Sequence, residues 1–215
     1  IKLIPGPGDG ALVIADLVLT LTLITLIILG TRVLSYAGAS RGARFFGFYC
    51  YVAAFITSTE IIVHYAPSDE VARAWGQVAA LWPLAWVLFA NFALHSASPV
   101  KYRRLLQGVI YLAATAVAIS YFVLAGRGTV VTEAQDYGYV LESPFIDTPL
   151  GIVVAAGYSL IPVITLTALI RGAFRSGKPS RQRQVRWILF AYGLGFAVGV
   201  GLVLLREVGG LGLRE

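Results

Sequence analysis

Three residues combine chemistry and spacing in a way that could form a site: Asp16, Glu60 and His64. Glu60 and His64 are four positions apart, which puts them on one face of a helix, and Thr57, Ser58 and Thr59 supply hydroxyls beside them. Two carboxylates and an imidazole can hold a polar or cationic ligand, and the imidazole can exchange a proton near neutral pH. The same groups also have a plainer use, staying hydrated near lipid headgroups or joining two helices by hydrogen bonds. Both readings follow from the residues.

Other chemistries are poorly served. His95 is the second of two histidines, and it falls at the opposite end of the chain's membrane path from His64, so the two cannot ligate one haem. A single imidazole can ligate a haem or chlorophyll-type pigment only with an apolar gap and a second acceptor around it. Glu60 competes for the His64 ring, and His95 lies beside basic loops, so no cofactor is expected. Cys50 is the only cysteine; it can form neither an intramolecular disulfide nor a metal-thiolate set. The sequence has no H-E-x-x-H, G-x-S-x-G or phosphate-binding glycine loop. No catalytic residues are expected, and the chain does not read as an enzyme.

The elements that must position the three residues are set by hydrophobicity. The chain of 215 residues is 58% hydrophobic and 13% charged, too apolar to hide its side chains in a water-soluble core. A helix crossing about 30 Å of hydrocarbon needs roughly 20 apolar residues. Six runs meet that test, at about 11–30, 45–65, 75–97, 105–125, 149–170 and 187–205. The expected fold is all-α, a polytopic membrane bundle of six helices with short loops, forming one domain over residues 1–215. The first run has no small-residue cleavage site, so it reads as a span rather than a signal peptide.

Charge distribution orients the bundle. Most of the 17 cations fall in three loops. Arg32, Arg41 and Arg44 follow the first span, Lys101, Arg103 and Arg104 the third, and Arg171, Arg175, Lys178, Arg181, Arg183 and Arg186 the fifth. These loops hold no acid, whereas Asp9, Asp69, Glu70, Glu133, Asp136, Glu142 and Asp147 lie in the other connections and the N-terminal tail. By the positive-inside rule the basic loops are cytoplasmic, and both termini lie on the non-cytoplasmic side. The +6 charge therefore points to anionic inner-leaflet lipids rather than to nucleic acid.

Local signals refine the bundle. Pro83 in the third span and Pro162 in the fifth each remove a backbone donor and bend their helices. Gly195 and Gly199, at small-xxx-small spacing in the sixth span, form a helix-packing face. The connection after the fourth span contains TVV and YGYVL around a polar EAQD turn, the pattern of a short β-hairpin.

WPLAWVLFANFALHSAS at the end of the third span, YGYVLESPF before the fifth and RQRQVRWILFAYGL opening the sixth resemble the N-terminal seven-transmembrane sensor region of bacterial histidine kinases and diguanylate cyclases. The likeness covers most of residues 11–205. It implies a sensory, ligand-binding module of a bacterial signalling protein in the inner membrane, with protein partners within the membrane. This sequence departs from that pattern in having six spans, without the seventh and the transmitter domain that follows it. The alternative expectation is a non-catalytic accessory or structural subunit of a larger membrane complex, one that could carry pigment or haem on a partner. A transporter would need polar residues at the midplane of several helices, and few occur.

Overall fold

A computed structural model describes residues 9–36, 38, 40–96, 102–127, 131–134, 138–141, 148–176, 182 and 186. Six helices and a hairpin follow one another: α1 (Asp9–Ser35), α2 (Arg41–His64), α3 (Asp69–Ala79), α4 (Trp82–Ser96), α5 (Arg103–Gly126), β1 (Val131–Ala134), β2 (Gly138–Leu141) and α6 (Pro149–Ser176). Among the described residues, five segments are long and apolar enough to cross a membrane: Asp16–Ser35, Arg41–His64, Asp69–His95, Arg103–Gly126 and Pro149–Arg171. They match the first five expected spans. The sixth, at 187–205, lies outside the described residues, as do Gly195 and Gly199.

The third span differs in detail from its sequence reading. It is built from two helices, and it starts at Asp69 rather than near residue 75. Ser68 caps α3, its hydroxyl accepting from the Val71 N–H at 3.4 Å. Asp69 and Glu70 then occupy the first turn, where carboxylates favour the positive helix end. A polar start thus lengthens a segment that hydrophobicity alone begins later. The break falls just before Pro83, whose missing N–H cannot continue the ladder. Around it the backbone tightens to three-residue spacing, with Ala80 N bonded to Gln77 O, Leu81 N to Val78 O and Leu84 N to Leu81 O. At roughly 1.5 Å per residue α4 alone is too short to cross the hydrocarbon, so α3 completes the crossing. By contrast α6 continues as helix through Pro162.

Helix packing in lipid gains little from hydrophobic transfer and depends on close van der Waals fit. That fit is visible where α1 meets α2. A Cβ at Gly47 would lie 2.6 Å from Leu34 Cγ, and one at Gly30 would lie 3.1 Å from both Cys50 Cβ and Gly47 O. The two glycines let the backbones approach, and they leave Cys50 fully buried as a packing residue. Between α5 and α6, a Cβ at Gly157 would overlap Val117 Cγ2.

The interior is made by α2 to α6. Ala79, Ala80, Trp82, Val117, Tyr121, Leu124, Ala125 and Val154 form one buried cluster, and Val87, Ala90, Leu94, Ile110, Ala114 and Ile161 belong to a second. Phe46, Tyr49, Phe89 and Phe92 join α2 to α4 through tilted ring pairs. α1 packs mainly on α2, and its Leu17, Leu21, Ile24 and Ile28 face outward, as a lipid-facing helix should. The expected hairpin is present, but its first strand runs from Val131 to Ala134 and takes in Glu133 and Ala134 of the expected EAQD turn, with Val131 paired to Leu141 and Ala134 to Gly138; residues 129 and 130 lie outside the described residues. The hairpin lies beside α2 and α3.

Candidate functional site at the acidic end of the bundle

The N-terminal half of α1, the C-terminus of α2 and the start of α3 share one end of the bundle, which carries Asp16, Glu60, Asp69 and Glu70. α2 ends at His64, with Tyr65 as its C-cap and Pro67 two residues on, and that proline prevents the helix from continuing. The Tyr65 and Ala66 N–H groups turn back to Ile61 O and Val63 O. The helix end therefore presents two side chains in succession toward α1.

Asp16 receives both. His64 Nδ1 lies 3.1 Å from Asp16 Oδ1, and because a carboxylate accepts, the ring carries its proton on that nitrogen. The Tyr65 phenol donates to Asp16 Oδ2 at 2.5 Å. His64 and Asp16 are largely shielded, at 14% and 15% side-chain exposure, while Tyr65 stands mostly in the open. Tyr65 follows the last residue of its span, and its hydrogen bond to Asp16 raises its pKa above the usual tyrosine value, with burial and the carboxylate charge adding in the same direction.

Glu60 lies one turn deeper, on the face that carries His64, and is partly buried. It has no hydrogen bond to another described residue. Its neighbours are committed elsewhere: Thr57 donates to Ala53 O, Ser58 to Phe55 O and Thr59 to Ile56 O. The hydroxyls that the sequence sets beside Glu60 thus stay within α2. The structure brings Asp16 and His64 into contact and keeps Glu60 next to them, without joining it to either. Asp16 begins the apolar part of α1 and His64 ends α2, so the pair sits at the edge of the apolar layer.

A second polar cluster forms near the basic end, between α4 and α5. Asn91 is 2% exposed, and its amide donates to Val87 O at 2.9 Å and to the Tyr111 hydroxyl at 3.0 Å. Gln107 donates to Asn91 Oδ1 at 2.6 Å, and His95 Nδ1 donates to Asn91 O at 2.8 Å. The Phe45 ring covers His95, with centroids 5.1 Å apart. The sequence carried a signal for this cluster, since Asn91 is the only asparagine in the chain and Gln107 and Tyr111 share a helical face. Tyr65, by contrast, reads from sequence as an ordinary interfacial aromatic.

Among the described residues, no three His, Cys, Asp or Glu side chains come together as a metal site. The fold and these two clusters define a helical membrane protein with a charged contact at the acidic end of the bundle and a neutral hydrogen-bonded cluster toward the basic end. Comparison with protein-family models, with curated proteins and with solved structures finds no match.

Proposed function

We propose that the chain is a membrane-embedded sensory module that receives a small polar or cationic ligand at Asp16, Glu60 and His64 from the non-cytoplasmic side. The observation that carries this reading is the unequal use of the two carboxylates. Asp16 is held on both oxygens by His64 and Tyr65, whereas neighbouring Glu60 keeps its acceptors unused by other described residues. A cation drawn to Glu60 would compete for the field of His64, and through His64 it would load or release the contact with Asp16. Because α1 packs mainly on α2, its outer end responds to that contact more than to any other. A ligand that prefers one state of the contact would shift the population of α1 positions, as any two-state sensor requires. Anionic inner-leaflet lipids at the basic end and protein partners in the membrane complete the proposed setting, a bacterial inner membrane.

The test uses the full chain in lipid nanodiscs. Spin labels at Leu17 on α1 and Leu84 on α4, both exposed, report the distance between the helices while small organic cations and pH are varied. The expected result is a change in the distance distribution that disappears in Glu60→Gln. A distribution that stays fixed across cations and pH, or a change that persists unaltered in Glu60→Gln, would sink the proposal.

A further inference from the structure

We infer that the basic end of the bundle holds one anionic phospholipid beside the seam of α4 and α5, with its phosphate at Arg103 and Arg104 and an acyl chain lying over Gly108. Arg32 ends α1, Arg41 and Arg44 begin α2, Arg103 and Arg104 begin α5, and Arg171 lies in the last turns of α6. None of these arginines forms an ion pair with a described residue, the described pairs being His64 with Asp16 and Arg73 with Asp69 at the other end. A cationic surface with no acid of its own beside the bilayer attracts anionic headgroups, and basic pockets between membrane helices bind them specifically.

One place at that end is built for more than diffuse attraction. Arg103, Gln107 and Tyr111 follow one another at four-residue spacing, so they share a face of α5. Gln107 and Tyr111 on that face are bonded to the buried Asn91 of α4. Arg103 is one turn nearer the basic end, and its Nε is buried with no acceptor among the described residues. A buried cationic donor without a partner is costly, and a phosphate oxygen is the acceptor that a planar guanidinium fits best. Gln107 and Asn91 bind each other, so they leave that donor to an outside group.

The neighbouring stripe of α5 accounts for the rest of the ligand. Arg104, Gly108 and Leu112 run along it at the same spacing. Arg104 is exposed, and a Cβ at Gly108 would meet nothing within 4 Å. Gly108 thus leaves an open stretch of surface beside Leu112, which is 75% exposed, and the half-exposed Tyr111. A headgroup at the arginines places its chain over this stretch, which commits the site to a lipid rather than to free phosphate. The inference does not depend on the reading of the Asp16 end.

Native mass spectrometry of the full chain, released from nanodiscs of mixed phosphatidylglycerol and phosphatidylcholine, tests the site. The wild-type chain is expected to retain one phosphatidylglycerol in preference to phosphatidylcholine. Arg103→Gln should weaken that retention roughly tenfold, as loss of one charge-assisted hydrogen bond implies, while Arg32→Gln, with the same charge change at the same end, should leave it unaltered. Gly108→Leu keeps every charge and enters open space, so it should fold and still reduce retention by occupying the place of the acyl chain. Equal retention of both lipids by the wild type would overturn the inference, as would equal effects of Arg103→Gln and Arg32→Gln. Displacement of the lipid by millimolar inorganic phosphate would overturn the lipid assignment. A wild-type Tm no higher in phosphatidylglycerol than in phosphatidylcholine would count against it without any variant.

Discussion

Asp16 and His64, 48 positions apart in sequence, meet at 3.1 Å and close the acidic end of α1 onto α2. Thr31 and Tyr51 do the same toward the basic end, with their hydroxyls 2.7 Å apart. Since Thr31 already donates to Ile27 O, the Tyr51 phenol is the donor there. Beside the Thr31 to Tyr51 contact, Gly30 and Gly47 bring the backbones together. α1 is therefore fixed near both of its ends on one neighbour, and the contact at the acidic end is the one that joins a carboxylate to an imidazole.

This arrangement makes the Asp16–His64 pair measurable. Polar contacts between membrane helices contribute about 0.6 kcal/mol on average and up to about 1.7 kcal/mol. Asp16→Asn and His64→Ala should each destabilise the α1–α2 contact, and their effects should couple by a value in that range in a double-mutant cycle. The measurement is reversible unfolding in mixed detergent. Effects that add to within about 0.3–0.5 kcal/mol would show that the two side chains act independently.

Glu60 and Asp16 make a separate pair of changes. No direct bond joins them, so Glu60→Gln and Asp16→Asn should be close to additive in stability alone. They should become non-additive in the ligand response, because in the proposed site both act on the same cation. Additivity in both readouts would leave the acidic end as a hydrated helix junction without a ligand.

Tyr65 gives a pH prediction with a definite sign. Its pKa is raised chiefly because the neutral phenol donates to Asp16. The contribution of that bond is fully present below the unfolded tyrosine value of about 10 and is lost as pH rises through the higher folded value. The difference in phenolate absorbance between the wild type and Tyr65→Phe should therefore titrate above the ordinary tyrosine range. Asp16→Asn should move that midpoint down. A midpoint at the ordinary value in the wild type would mean that the phenol is not bonded to the carboxylate.

At the other polar cluster, Gln107→Ala removes the donor to Asn91 Oδ1 and leaves a buried acceptor unpaired, at an expected cost of about 1–3 kcal/mol. Asn91→Leu with Gln107→Leu removes both partners and should cost less than the single Gln107→Ala, because only the hydroxyl of the half-exposed Tyr111 then loses a partner. Thermal unfolding of the two variants decides it. A double variant less stable than Gln107→Ala would show that the cluster stabilises the bundle through packing rather than through its hydrogen bonds.

Hydrophobic run length made the bundle legible, since five of the expected spans correspond to helices, and the TVV and YGYVL runs marked the hairpin. The start of α3 was hidden because Asp69, Glu70 and Arg73 read as connection, although their place after Ser68 is a capping pattern. Of the candidate site, the i,i+4 relation of Glu60 and His64 was legible, and so was their depth relative to Asp16. What spacing could not give was pairing between helices. Asp16 meets His64 and Tyr65 because α1 and α2 close on Gly30 and Gly47, a tertiary fact that no local pattern contains. Asn91 was visible as a lone asparagine, but its partners lie on another helix and follow only from the register of α4 against α5.

The orientation of the bundle can be read with single cysteines, because the native Cys50 is fully buried and should give little background. Ser68 lies between α2 and α3 at the acidic end, and Gly38 lies between α1 and α2 at the basic end. The arginines flanking Gly38 and the acids following Ser68 place these two positions on opposite sides by the positive-inside rule. In intact cells, an impermeant maleimide should label a cysteine at position 68 and should reach one at position 38 only after the membrane is opened. Labelling of position 38 alone would invert the bundle and turn Asp16, Glu60 and His64 toward the cytoplasm, so that the sensed ligand would have to come from inside. Labelling of both from one face would require the second span, which alone separates the two positions, not to cross the membrane, and the Asp16 to His64 contact could then not sit at an opposite end of the bundle from the arginines.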